Sequence, residues 1–314
     1  DWRVREENAF HTMEAGPVPD AGVAYVDSTD NNYLEAVDAQ GRVAFYDVVS
    51  PQYVGPKRAN LDGDDRLETP YFDSNGNISL IDHAGDSSVF VESSEVQSGT
   101  TRIGVGDLDG DGTPAVFFRD GNNDISAKEV DGSIRVFRYS PGGGNGNSGN
   151  NGNGNSGNNG NGRALRGYAV AGVTDFDGDG NTDLVYVESR NNDELAYFDS
   201  SAGDRTSLGV KPASVNAIGS PADYDGDGEQ EVPYVDGDSD VVLADADGRD
   251  GVLADTGNAA TTAMGRLDVT GDGAPEVVFV SNSKLYYVTA DGTVQLLRDR
   301  QGRELPASSG PGVA

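Results

Sequence analysis

The sequence of 314 residues contains no cysteine, only two histidines and a single tryptophan, Trp2. Without cysteine there is no disulfide, no thiol nucleophile and no zinc–thiolate site. No apolar run approaches the ~20 residues that a membrane-spanning helix needs. Basic residues are few, since 22 of them stand against 53 acidic residues, and the formal net charge is −31. Such a chain repels phosphate backbones and anionic lipid, so we expect neither nucleic-acid nor membrane-surface binding.

Lysine is scarce even among the basic residues, with four lysines (Lys57, Lys128, Lys211 and Lys284) against 18 arginines. An acidic, lysine-poor composition is typical of proteins from salt-loving organisms, where concentrated salt screens the self-repulsion. An ordinary acidic secreted protein is the alternative. The chain begins at Asp1 without a methionine or a signal peptide, and we therefore expect a processed or trimmed product.

Five segments share the acidic pattern D-x-D-x-D-G-x-x-[D/E] or a close variant, and each continues into a short apolar stretch. We number them acidic loops 1 to 5 in chain order: residues 60–68, 107–115, 175–183, 223–231 and 268–276. An aromatic residue lies eleven positions after the first residue of every loop, and Tyr25 continues this series backward. The aromatics are Tyr25, Tyr71, Phe118, Tyr186, Tyr234 and Phe279, at intervals of 46, 47, 68, 48 and 45 residues. This period predicts six repeating units.

The one long interval contains a low-complexity insertion. Residues 142–162 are 21 residues of only Gly, Asn and Ser, and without them every repeat is 45 to 48 residues long. Such a tract is typical of a flexible loop. The alternative is that its amide side chains pair with a neighbouring subunit, because Asn-rich tracts self-associate.

Each unit is predicted to form four short strands. In the last unit we expect strands at 261–267, 276–280, 284–289 and 293–297. Short strands joined by Asp-Gly or Asn-Gly turns indicate hairpins, and four antiparallel strands in ~45 residues are typical of a β-propeller blade. We therefore predict an all-β propeller of six four-stranded blades over residues 17–298, with a tail or closing strand at 1–16 and a C-terminal tail at 299–314. Seven blades, a β-solenoid and a string of small calcium modules are the alternatives.

The acidic loops predict metal sites. Oxygen ligands at positions 1, 3, 5 and 9, with the carbonyl of position 7, supply the 6–8 oxygens that Ca²⁺ prefers. Mg²⁺ fits less well because it demands an octahedron and keeps its waters, and softer metals would require His or Cys. An EF-hand is excluded because position 12 is not Glu and the flanking elements are predicted strands. The alternative is a set of turns rich in Asp and Asn that bind no metal.

Over residues 20–298 the chain resembles the FG-GAP/VCBS-type calcium-binding propellers, the fold of the integrin α-subunit head. The resemblance implies five calcium sites, in which the residue at position 7 binds through its carbonyl. Their ligands are Asn60, Asp62, Asp64, Arg66 and Glu68; Asp107, Asp109, Asp111 and Thr113; Asp175, Asp177, Asp179, Asn181 and Asp183; Asp223, Asp225, Asp227, Glu229 and Glu231; and Asp268, Thr270, Asp272, Ala274 and Glu276.

Three loops depart from the pattern of the family. Asp65 replaces the turn glycine of loop 1, and Thr270 is a weaker neutral ligand in loop 5. Ala115 replaces the last carboxylate of loop 2, so we expect that site to be the weakest.

Successive connections of a blade alternate between its two ends, so the acidic loops and the third turns are expected on one face. The second turns and the crossings between blades lie on the other. That opposite face is expected to carry the insertion at 142–162 and the glycosylation sequon that begins at Asn77.

The resemblance, the calcium loops and the lack of a catalytic constellation favour a non-catalytic extracellular module for adhesion or for building a cell-surface assembly or filament. We expect a protein or glycan partner on the face opposite the calcium loops, and self-assembly through the insertion. A polysaccharide lyase or hydrolase on the same fold is the alternative, but it would need paired carboxylates or a Lys, Tyr or His group in a pocket. The two histidines, His11 and His83, are far apart in sequence and are expected to be solvated. A lectin is a third candidate.

Overall fold

The computed structural model describes most of the repeat region. The described residues are 23–26, 33–49, 53–54, 59–64, 66–82, 86–98, 100, 102–139, 163–188, 193–215, 217–248, 250–256 and 260–307. The predicted N-terminal tail (1–16), the insertion (142–162), both histidines and Asp65 lie outside these residues.

The regular elements of the described residues are β-strands, grouped into antiparallel sheets. The first sheet contains β1 (Val23–Val26), β2 (Tyr33–Val37) and β3 (Val43–Val49). Blade I contains β4 (Tyr53–Val54), β5 (Thr69–Phe72), β6 (Ile78–Ile81) and β7 (Ser87–Val91). Blade II contains β8 (Gly104–Gly106), β9 (Ala115–Arg119), β10 (Ile125–Glu129) and β11 (Ile134–Val136). A small hairpin of β12 (Arg138–Tyr139) and β13 (Arg163–Ala164) flanks the insertion.

The remaining strands form three further blades. Blade III contains β14 (Gly167–Thr174), β15 (Asp183–Glu188), β16 (Leu195–Asp199) and β17 (Asp204–Ser207). Blade IV contains β18 (Val232–Val235), β19 (Val241–Ala244) and β20 (Asp250–Ala254). Blade V contains β21 (Ala260–Leu267), β22 (Glu276–Ser281), β23 (Lys284–Val288) and β24 (Val294–Leu296), which confirms the strands predicted for the last unit to within one residue at either end.

Blade IV has its fourth strand in residues 217–222, which pair with β18 through the bridges Ile218–Tyr234 and Ala222–Glu231. The backbones of Ala222 and Glu231 exchange hydrogen bonds of 3.0 and 2.9 Å. Pro221 lies inside this segment and has no N–H to give to the ladder, so the pairing is interrupted.

The described residues thus form five four-stranded blades, and the prediction of six or seven is corrected. The first unit differs because its sheet has three strands and no acidic loop. Its β1 carries Tyr25, the aromatic that occupies the second strand of the other units, and the chain before Val23 that would supply a first strand lies outside the described residues. The first sheet lies between blades V and I, because β1 contacts both β21 and β4.

The hydrophobic core is divided among the interfaces between neighbouring blades. In β15, Leu184 and Tyr186 pack with blade II, whereas Val185 and Val187 pack with blade IV. Successive side chains of a strand point to opposite faces, and both faces are covered here, so the second strand of a blade is a continuous apolar run. The aromatics of the repeat series are buried at these interfaces, with exposed fractions between 0% and 4%.

Two turns with the same D-x-Q-G-R sequence join the first sheet to the C-terminal segment. Asp38 accepts hydrogen bonds from the N–H groups two and four residues later, and Asp299 does the same. The turns contact each other directly, since the N–H of Arg300 donates to the carbonyl of Gly41 at 2.8 Å. Beyond the second turn, Leu305 is buried in the core shared by blade V and the first sheet.

Glycines bring the first strands of neighbouring blades close together around the axis of the ring. A Cβ on Gly106 would lie 2.6 Å from the side chain of Val173, and a Cβ on Gly172 would lie 2.7 Å from Pro221. No real Cβ makes such contacts, so these positions require glycine for the approach of the backbones. The acidic loops follow directly on these strands.

Candidate metal centres

Each acidic loop is organised around the side chain at its first position, which is a carboxylate in loops 2 to 5 and the amide of Asn60 in loop 1. In loop 4, Asp223 accepts hydrogen bonds from the N–H groups of Gly226 at 2.7 Å and Gly228 at 3.2 Å. Asp107 and Asp268 make the same pair of contacts in loops 2 and 5. Both glycines have a positive φ, which L side chains rarely adopt, and this explains their place in the pattern.

The carboxylate at position 5 of each loop holds the backbone of position 7. In each loop the carboxylate at position 5 accepts a hydrogen bond from the N–H of the residue two positions later, at 2.7 to 2.9 Å. These pairs are Asp64–Arg66, Asp111–Thr113, Asp179–Asn181, Asp227–Glu229 and Asp272–Ala274. The backbone of the predicted carbonyl ligand is therefore held in place by a neighbouring predicted ligand.

The ninth position is a buried carboxylate in four of the loops. One oxygen of each accepts a hydrogen bond from the N–H of position 2, as Glu68 does from Leu61 at 2.7 Å and Asp183 from Phe176 at 2.9 Å. The other oxygens, Oε1 of Glu68 and Oδ1 of Asp183, have no hydrogen-bond partner among the described residues, although Glu68 and Asp183 are only 2% and 0% exposed. A buried carboxylate oxygen without a donor is costly, and a cation bound beside it would remove this cost.

Four of the five loops bring their carboxylates together so that one oxygen from each lies within 4.8 Å of the others. The groups are Asp62, Asp64 and Glu68; Asp107, Asp109 and Asp111; Asp175, Asp177 and Asp183; and Asp223, Asp225, Asp227 and Glu231. Like charges at this separation repel unless a cation lies among them. Hard carboxylate oxygens suit a hard cation, and the unpartnered oxygens show that such an ion fits.

Burial raises the pKa of the ninth carboxylate in loops 1, 3 and 4. It raises the pKa of Asp183 to about 7, against the opposing effect of the Phe176 N–H. It raises the pKa of Glu231 to about 7 as well, and the pKa of Glu68 in the same direction. The neighbouring acidic residues of each loop add to the rise. Without a cation, Asp183 and Glu231 therefore hold their protons up to near-neutral pH.

Loops 2 and 5 differ from the other three. In loop 2 the carboxylate of Asp109 already has a cationic partner, because Arg135 lies 2.9 Å from its Oδ2. In loop 5 the predicted ligands are not among the described groups of three clustered acidic side chains. There the hydroxyl of Thr270 donates to Oε1 of Glu276 at 2.9 Å and so satisfies the oxygen that is unpartnered in loops 1 and 3.

One acidic residue from outside loop 3 joins its carboxylates, and the nine-residue pattern does not predict it. Asp199 ends β16, and an oxygen of Asp199 lies within 4.8 Å of oxygens of Asp177 and Asp179. The hydroxyl of Ser201 in the following turn donates to Asp179 at 2.9 Å. In blade III the acidic loop and the third turn therefore lie on the same face, as predicted. The sequence signal for Asp199 is an acidic residue that recurs directly before the third turn, as Asp82 and Asp245 do in blades I and IV.

The sequon on the opposite face is built into a turn. Asn77 is only 9% exposed, and its side-chain amide donates to Asp73 Oδ2 at 2.8 Å. Its Oδ1 accepts a hydrogen bond from the N–H of Ser93 at 2.8 Å. Both ends of the amide are therefore occupied by the fold.

No known protein family model matches the chain. No curated protein matches it either. Among the described residues, no helix is long and apolar enough to cross a membrane.

Solved structures resemble the fold. AofleA from Arthrobotrys oligospora is 12% identical with a TM-score of 0.51, and the match covers 94% of this chain and 90% of that one. A mutant of the Aleuria aurantia lectin in complex with alpha-methyl-L-fucoside is 11% identical with a TM-score of 0.48, over 91% and 97% of the two chains. The V. cholerae biofilm matrix protein Bap1 is 17% identical with a TM-score of 0.38, over 92% of this chain and 44% of that one. This chain thus spans less than half of Bap1, and at these identities the likeness concerns the propeller fold alone.

Proposed function

We propose that the protein is a calcium-stabilised, non-catalytic β-propeller that acts outside the cell in adhesion or in building a surface assembly. The observation that carries this proposal is the buried carboxylate at the ninth loop position, whose second oxygen has no partner in loops 1 and 3. A buried carboxylate that leaves one oxygen unpartnered, as in loops 1 and 3, gives the loop a place for a cation. The role of the cation is structural, since it neutralises the carboxylates of its own loop.

Calcium is the cation that suits these loops best. Position 1, position 3, position 5, the bidentate-capable position 9 and the carbonyl of position 7 supply oxygens alone, in the number that Ca²⁺ takes. We propose that loops 1, 3 and 4 bind most tightly. Loop 2 is weakened by Arg135 and by the missing ninth carboxylate, and loop 5 by the Thr270–Glu276 hydrogen bond.

The extracellular location follows from the supply of calcium. Extracellular calcium modules bind with dissociation constants of about 10⁻⁴ to 10⁻³ M. Loops whose tips are open to solvent suit that range, and positions 4 to 6 are exposed in every loop wherever the structure describes them. A protein that depends on such sites is stable only where calcium is abundant.

The partner is proposed to bind the face opposite the acidic loops, as a protein or a glycan. The insertion at 142–162 is proposed to project from that face and to join neighbouring copies. The hairpin of β12 and β13 brings the two ends of the insertion together, since Arg138 pairs with Ala164 and Tyr139 with Arg163.

Two measurements on the calcium-loaded protein test this function. Cryo-electron microscopy at rising protein concentration is expected to show rings or filaments, and deletion of 142–162 is expected to abolish them while leaving the thermal midpoint unchanged. Incubation with acidic and neutral polysaccharides is expected to leave their chain lengths unchanged. Turnover of any polysaccharide would contradict a non-catalytic role, and assembly that survives the deletion would contradict the role of the insertion.

A further inference from the structure

A cavity of about 110 Å³ lies on the axis of the ring, between the first strands of blades II to V. Its lining includes Val105, Val173, Pro221 and Arg266. Each of these residues lies two positions before the first residue of an acidic loop, so together they form one layer of the axis. Three members of the layer are apolar, and the fourth is a cation.

Arg266 has no acidic partner in the part of the chain that the structure describes. Its Nη1 donates to the carbonyl of Pro221 at 3.2 Å. The other N–H groups of the guanidinium are then available as donors to a ligand. Acidic residues outnumber basic ones by more than two to one in this protein, and an arginine next to the axis without a carboxylate is therefore unexpected.

Ser220 adds a second polar group to the same cavity. The residue is only 7% exposed, and its Oγ has no hydrogen-bond partner in the described part of the chain. Its backbone carbonyl, in contrast, accepts a hydrogen bond from the hydroxyl of Tyr224 at 2.7 Å. A buried hydroxyl without a partner is unfavourable, so this oxygen is placed where a ligand can use it.

A second cation lies further along the axis, away from the loops. Arg102 is 1% exposed and donates through Nη1 to the carbonyl of Ile218 in blade IV. Ile218 is two residues before Ser220, so this buried guanidinium lies about one layer beyond the cavity. Arg266 is the charged residue that lines the cavity itself, and its charge favours an anion.

We propose that the axial cavity binds the carboxylate of a small monocarboxylic acid. The guanidinium of Arg266 offers the planar pair of donors that matches a carboxylate, and the hydroxyl of Ser220 offers a third donor. Val105, Val173 and Pro221 give the short alkyl end an apolar contact. The volume is smaller than the ~150 Å³ cavity that accommodates benzene, which limits the ligand to the size of acetate or propionate.

The test is a titration of the calcium-loaded protein with sodium acetate, followed by methyl NMR, at an ionic strength held constant with sodium chloride. The methyl resonances of Val105 and Val173 are expected to shift to saturation and to show nuclear Overhauser contacts with the methyl group of acetate. The Arg266→Gln variant is expected to bind about tenfold or more weakly, because it loses a charged pair of hydrogen bonds.

Two further variants keep the test decisive. Arg166→Gln, which removes a surface arginine paired with Asp124, is the matched control and is expected to bind acetate like the unaltered protein. Ser220→Ala is expected to bind acetate more weakly without losing thermal stability, because it deletes a hydroxyl that has no partner in the fold, and it serves if Arg266→Gln does not fold. Equal shifts with chloride alone, undiminished binding by the Arg266 and Ser220 variants, or contacts to methyl groups elsewhere would each overturn the proposal.

Discussion

The carboxylate of Asp183 shows how one residue links the fold of a loop to its chemistry. Its Oδ2 accepts the N–H of Phe176 and so closes the loop, while its Oδ1 is buried without a partner. The first contact stabilises the loop with or without a metal. The second is unfavourable until a cation arrives, because burial penalises the charged form.

Asp183→Asn is therefore expected to affect the protein in opposite ways with and without calcium. In a calcium titration followed by calorimetry, the variant is expected to bind one ion fewer per chain. In chelator, its free energy of unfolding is expected to equal or exceed that of the unaltered protein, because the buried charge is gone. With calcium present it loses about 1–3 kcal/mol of the calcium-dependent stabilisation.

The matched control is Asp238→Asn, which removes an exposed acidic residue in a second turn, on the face away from the loops. It is expected to change neither the number of ions bound nor the stability. An Asp183 variant that keeps the full number of ions, or one that is destabilised equally in chelator, would contradict the role assigned to this carboxylate.

The raised pKa values predict a pH dependence whose sign depends on calcium. In chelator, Asp183 and Glu231 have a pKa of about 7 in the folded state, above the ordinary values of 3.8 and 4.5. Between these limits the folded state binds more protons than the unfolded one, so the free energy of unfolding falls as the pH rises from about 4 to about 7. With calcium bound the trend reverses, because protons compete with the ion for the same oxygens.

Urea unfolding at pH 5 and pH 8, each in chelator and in calcium, measures this reversal. If the free energy of unfolding changes with pH in the same way in chelator and in calcium, the ninth carboxylates do not bind an ion.

At the scale of the element, much of the blade is predictable from the sequence, because the apolar run and the acidic loop are both local signals. The apolar run after each loop predicts a second strand with two buried faces, and the structure buries β15 and β22 completely. The acidic loops hold themselves together by hydrogen bonds within nine residues, so their shape follows from the pattern.

Contacts between distant segments were not predictable in the same way. Asp199 reaches loop 3 from a different turn, and Arg135 reaches Asp109 across 26 residues of chain. Arg135 has no counterpart in the other blades. Asp199 does have counterparts, since Asp82 and Asp245 lie at the equivalent register position of blades I and IV, but the nine-residue loop pattern does not include this position. The predicted blade count was wrong because Tyr25 fits the spacing of the aromatic series and so identifies a repeat. That spacing does not show whether the repeat has all four strands of a blade.

The two D-x-Q-G-R turns contact each other where the first sheet meets the C-terminal segment, and we expect this contact to help close the ring. Gly41 has a φ of +72°, and a Cβ there would lie 2.5 Å from the backbone nitrogen of Arg300. Gly41→Ala is therefore expected to destabilise the protein by about 1–3 kcal/mol, since it combines an unfavourable φ with a backbone clash. Thermal unfolding measures the loss.

Gly121→Ala provides the control, because nothing lies within 4 Å of a Cβ at that position and its φ is not positive. This variant is expected to unfold at nearly the same temperature as the unaltered protein. If both alanine variants unfold alike, the two turns do not fasten the ring.

At the scale of the whole molecule, the net charge of −31 separates into two parts. Seventeen acidic side chains are predicted ligands of the five loops, and these lie on one face of a ring because each loop joins the first two strands of its blade. The other acidic residues spread over the remaining surface. Salt screens that second part, whereas only a bound cation neutralises the first.

The thermal midpoint in concentrated salt, with calcium or with chelator, tests the calcium-stabilised propeller most directly, because the salt removes the general effect of charge. At about ten to a hundred times the dissociation constant each site contributes about 1.4–2.7 kcal/mol. For three or more sites the account predicts that calcium raises the midpoint by about 10 °C or more, and that magnesium raises it less. An equal midpoint in calcium and in chelator would contradict the account.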